Sequence, residues 1–113
     1  MTDWQTALQR EFEMAVSARA RGNEGQARVC ARRAAGIALR EYFSRRAIPV
    51  RAASAYDLLR DFIELQDTSP DLRKIAAHLT LRVTEEFKLP LDVDLIQEAR
   101  LLCEQLLSVQ LDS

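Results

Sequence analysis

Glycine and proline are scarce in this 113-residue chain, with three of each. Long irregular stretches are therefore excluded, and regular elements must fill most of it. Histidine occurs once, as His78, and cysteine twice, as Cys30 and Cys103. One imidazole and two distant thiols do not supply the roughly four ligands of a zinc site, so no metal and no cofactor are expected. Both cysteines sit among Ala and Leu, in "RVCARRAAG" and "ARLLCEQLL", and read as small buried hydrophobes. No run of about 18 apolar residues exists, so nothing in the chain is expected to span a membrane. The first residues, "MTDWQTALQREF", lack the basic-then-apolar order of a signal peptide, which predicts a cytoplasmic location. Gly22 and Gly25 flank a turn with no strand before it, so no phosphate-cradling glycine loop is present. The few aromatic residues fall mostly at core phases, which argues against a base-stacking platform.

What the chain does have is apolar residues at 48% and charged ones at 29%, an ordinary balance for one globular domain over residues 1–113. Their spacing predicts five helices and no strand. The first runs from about Asp3 to Arg21, with Trp4, Leu8, Phe12 and Ala15 on one stripe, and stops at Gly22-Asn23. The second runs from about Glu24 to Arg46 and carries Ala27, Cys30, Ala31, Ala34, Ile37, Ala38 and Tyr42 on its apolar face. Side chains that small let a neighbouring helix come close. "SAYDLLRDFIEL" is a short third helix with Ser54 as its cap. In "QDTSPDL", Ser69 stands at the N-cap and Pro70 at the first helical position of a fourth helix, which is expected to reach about Phe87. Asp92 or Asp94 caps a fifth, whose ridge is Leu95, Ala99, Leu102 and Leu106. Short connections between long amphipathic helices predict an all-α, up-and-down antiparallel bundle of four to five helices, with the second and fifth at its centre.

The net charge of −1 hides a polarity. Residues 28–51 carry seven arginines against Glu41 alone, a net of +6, whereas residues 52–113 carry a net of −6. Arg28, Arg32 and Arg46 share one flank of the second helix, and Arg33 and Arg40 lie nearly opposite its core. These five are candidate ligands for RNA or another anion. The alternative is that one helix neutralises its neighbours.

The run "QARVCARRAAGIALREYF" resembles the second helix of HEPN domains, with Ala34-Ala35 and Ala38-Leu39-Arg40 matching the family's pattern and Gly36-Ile37 standing where Glu-Lys is usual. "SAYDLLRDFIEL" and "LDVDLIQEARLLCEQLL" resemble its short third helix and its last helix. The resemblance implies a HEPN-like bundle, a homodimer, and an association with nucleotide binding, RNA cleavage or pairing with a small nucleotidyltransferase, as in toxin–antitoxin-like modules. Catalytic members carry Arg, four to six residues, then His, and Arg73–His78 matches that form. In them the arginine steadies phosphate charge while the imidazole moves a proton at a ribose hydroxyl.

Helical geometry sets a second reading beside this one. Five residues of an ideal helix turn Arg73 and His78 about 140° apart, so the two converge only if a two-fold axis brings two copies together. His78 shares a flank with Lys74, Arg82 and Glu85, and pairing with Glu85 would make it an ordinary half-exposed polar residue. Three functions stay open: a non-catalytic homodimeric module for a partner or nucleotide, a metal-independent ribonuclease using Arg73 and His78, and anion binding by the arginines of the second helix.

Overall fold

The structure is a computed structural model that describes residues 3–50, 54–65, 68–81 and 93–108. It is all-α, with five helices and no strand among the described residues: α1 (Asp3–Ala20), α2 (Glu24–Arg45), α3 (Ala55–Ile63), α4 (Pro70–Leu79) and α5 (Leu95–Leu107). Helix α2 is the hub. It packs on α1, α3 and α5, while α4 closes the far side against α3 and α5.

Alanine makes α2 a hub. Ala27, Ala31, Ala34, Ala35 and Ala38 are fully buried. Alanine favours helix and gives up no rotamer freedom on burial, so a helix can afford many of them at its core face. The bulk comes from the surrounding helices: Leu8 and Phe12 from α1, Leu58, Leu59 and Phe62 from α3, Leu79 from α4, and Leu95 and Leu102 from α5, all at 1% exposure or less. The crossing of α2 with α3 is close: a Cβ on Gly36 would stand 2.7 Å from the Cβ of Ala55.

Local signals set most helix ends. Gly22, at φ 77°, turns the chain out of α1. Its N–H donates to the Arg19 carbonyl at 2.9 Å and that of Asn23 to the Ala18 carbonyl at 2.8 Å, the paired bonds of a Schellman stop. Asn23 then caps α2 by accepting from the Gln26 N–H, Ser54 caps α3 by accepting from Asp57, and Asp94 caps α5 by accepting from Ile96 and Gln97. Helix α2 ends in the same kind of stop with Ala47, at φ 55°, in the position glycine usually takes. Ser69 does stand at the N-cap of α4, but its side chain makes no capping bond, and Pro70 begins the helix.

Two expectations change. Helix α4 ends at Leu79, well before Phe87, and residues 82–92 lie outside the described residues. At Thr80 the hydroxyl donates to the Ala77 carbonyl at 2.7 Å, a local bond that competes with helix continuation. Arg32 of α2 then takes the Leu79 and Leu81 carbonyls, which a longer helix would offer to its own next turn.

The second change concerns direction. Arg19, near the end of α1, bridges Glu24 at the start of α2 and Asp94 at the start of α5. Arg45, at the end of α2, donates to the Leu107 carbonyl at the end of α5. Helix α5 therefore runs in the same sense as α2, and a strict up-and-down alternation would oppose them. The alternation is lost because α3 begins midway along α2, with Ala55 against Gly36, rather than at its end. Phe62 then meets Tyr42 edge-on at 5.9 Å, farther along α2 in the same sense.

Candidate functional site

Arg73 and His78 sit on α4 and reach in different directions. Arg73, in the first turn, donates through Nη2 to the Leu65 carbonyl at 2.8 Å, at the end of α3, and its Nε is buried without a hydrogen-bond partner. His78, in the last turn, puts Nδ1 2.5 Å from Oε1 of Glu98 on α5. Both partners of that pair are largely covered, at 13% and 17% side-chain exposure. Within one chain the arginine therefore faces α3 and the imidazole faces α5. Glu85, the partner expected from helical spacing, lies outside the described residues.

Glu98 was not legible as a partner in the sequence. Its one signal is position: it is an acid in the first turn of α5, one step from the buried Leu95–Ala99–Leu102 ridge. An acid at that border must find a polar partner or water, but nothing local says that the partner lies 20 residues earlier.

The five candidate arginines, four on α2 and Arg46 at its C-cap, divide by task. Arg32 is half-buried and forks onto the end of α4, with Nε 2.7 Å from the Leu79 carbonyl and Nη2 3.3 Å from that of Leu81. Burial pushes the pKa of its guanidinium below the usual arginine range. Arg33 pairs with Glu11 of α1 at 3.2 Å. Arg46 donates to the Tyr42 hydroxyl and lies over that ring, 5.4 Å from its centroid. Arg28 is partly buried near Glu24, with its Nε unpartnered. Arg40 is exposed and engaged within the chain. Neutralisation between helices thus accounts for Arg33, and Arg32 serves backbone carbonyls rather than an outer anion.

A common device emerges. The last carbonyls of a helix lack intrahelical donors. Here Arg73 reaches the end of α3, Arg32 the end of α4 and Arg45 the end of α5. A guanidinium answers both the missing hydrogen bonds and the negative end of the helix dipole. None of these three helices has the glycine stop of α1.

At the opposite end of α5, Arg19 donates to Glu24 at 2.7 Å and to Asp94 at 2.9 Å. The Arg19 hydrogen bond holds the Glu24 carboxyl below its ordinary pKa. At Asp94 partial burial acts upward, but the Arg19 bond and the backbone N–H groups of Gln97 and Ile96 outweigh it, and the net shift is downward. Depressed carboxylates stabilise the fold above their unfolded pKa and lose that contribution as pH falls through the folded one. The Tm gap between wild type and Arg19→Gln should therefore be widest near neutrality and narrow steadily as the pH is lowered from the ordinary carboxylate value of about 4 toward 2. A gap that stays constant down to that pH would show that these ion pairs do not form. The groups are exposed enough for the whole effect to be small.

Cys103 is fully buried, and burial pushes its thiol up to about 12, far from a thiolate at neutral pH. Cys30 is equally buried and free. Among the described residues no three His, Cys, Asp or Glu side chains gather as a metal site, and no helix is long and apolar enough to cross a membrane.

Comparison with protein-family models, with curated proteins and with solved structures finds no match to this chain. A functional reading rests on the side chains and on the pattern of the sequence.

Proposed function

We propose that this chain is a HEPN-like helical domain without catalysis of its own, acting as a homodimer that binds a protein partner, such as a nucleotidyltransferase-like protein, or a nucleotide. One observation carries the non-catalytic part: both members of the Arg-x4-His pair are engaged inside the fold, Arg73 on a helix end and His78 on Glu98. A phosphate clamp needs a guanidinium whose fork is available, and a general base needs its partner within reach of the same substrate. The run of small residues in α2 and the short α3 support the HEPN-like part.

The ribonuclease reading keeps one observation in its favour. A carboxylate bonded to Nδ1 is how a catalytic imidazole is commonly oriented, leaving Nε2 for substrate. Metal-free RNA cleavage by wild type and His78→Ala separates the two readings. No cleavage above blank is expected from either protein. His78→Ala should also melt lower, because Glu98 is left largely covered without its partner. Wild-type cleavage that disappears in a still-folded His78→Ala would overturn the non-catalytic reading.

A further inference from the structure

Helix α1 presents a side that the rest of the described fold leaves uncovered. Thr6, Arg10, Glu13 and Ser17 follow one another along it at helical spacing, and all four are exposed. Neither Arg10 nor Glu13 has a hydrogen bond or ion pair among the described residues. Two shallow depressions of nearly equal volume, about 420 and 440 Å³, share these two residues. Gln5, Thr6 and Gln9 complete the first; Met14, Ser17 and Cys30 are among those completing the second. Met14 is one of the few large apolar side chains left exposed, at 37%.

Read in the two directions, this ridge is complementary to itself. Laid antiparallel on its own copy about a point between Arg10 and Glu13, it sets Arg10 against Glu13 and Thr6 against Ser17. Each match then occurs twice, the signature of an isologous contact on a two-fold axis.

We propose that the outer side of α1 is the face on which a second copy of this chain docks, α1 against α1 and antiparallel, with Arg10 paired to the partner's Glu13 on both sides of the axis. This rests on the homodimer reading above and names its surface. Charges of both signs at the centre disfavour a nucleic-acid backbone or an acidic peptide, since either would meet Glu13. Helix α1 has 18 residues, which makes it about 27 Å long, so the contact lies at the low end of stable interfaces and a micromolar dimer is expected.

Charge reversal tests this. Sedimentation velocity from about 1 to 200 µM would compare wild type, Arg10→Glu, Glu13→Arg and the double reversal. Each single change turns two attractions into two repulsions and should weaken the dimer about tenfold or more. The double reversal restores opposite charges and should return it close to wild type. Thermal melts of all four, taken at a concentration where each is monomeric, should agree closely, because neither residue has a hydrogen bond or ion pair among the described residues. A wild-type dimer indifferent to both single changes would place the contact on another face and overturn the assignment while sparing the dimer. A wild-type monomer at 200 µM would overturn both.

Discussion

Arg32→Met should lower stability by about 2 kcal/mol, a fall in Tm of roughly 8 °C for a domain of this size. Methionine keeps most of the aliphatic stem, so packing against α4 changes little. What goes is the fork onto the Leu79 and Leu81 carbonyls, which then lack a donor at a partly buried helix end. The half-buried position gives the loss its size, because water cannot freely replace the guanidinium. Arg33→Met is the control: its pair with Glu11 is exposed on the arginine side, and such pairs contribute well under about 1 kcal/mol. Equal melts for the two variants would mean that Arg32 is a surface charge after all. The anion reading of α2 would then regain its most central residue.

The role of Arg32 also marks where sequence reading stops. Helix ends set by nearby residues were legible: Gly22-Asn23 stops α1, Ser54 opens α3, and Asp94, one of two candidates in the sequence, opens α5. Each uses a side chain or a backbone angle within three residues of the end. The end of α4 was not legible, because the local bond of Thr80 is joined there by a donor 47 residues earlier in the chain. The amphipathic pattern of "IAAHLTLRVTEEF" carries straight through Thr80 and cannot register that donor.

The charge polarity has the same explanation. Seven arginines within residues 28–51 look like a binding face when counted along the chain. In three dimensions the helix that carries most of them lies at the centre of the bundle, so it reaches several helix ends at once. Parallel α2 and α5 place like dipole ends together, which is unfavourable by itself. Asp94 and Glu24, joined through Arg19, offset it at one end, and Arg45 at the other. The candidate pair Arg73–His78 was legible as two polar residues on different faces of one helix. Their partners, a backbone carbonyl and Glu98, were not, since both belong to other elements.

Gly36→Ala should be among the most damaging single-methyl changes in the chain. In an isolated helix the substitution is favourable by about 1 kcal/mol, so any loss must come from packing. The new Cβ would meet the Ala55 Cβ at 2.7 Å and its Cα at 3.1 Å, and the Cα belongs to the backbone of α3 and cannot rotate away. Helices α2 and α3 would have to separate by a large fraction of an ångström. That loosens the contact of Phe62 with Tyr42 and disturbs the buried Leu58 and Leu59. Overpacking of this kind costs typically 1–3 kcal/mol, and about 2 kcal/mol net is expected in chemical denaturation. Ala55→Gly in the same chain removes the nearer of the two clashes. The double variant should therefore recover part of the loss, although Ala55→Gly alone destabilises. Strictly additive losses would mean that the two residues do not touch, and that α3 crosses α2 somewhere other than at Gly36.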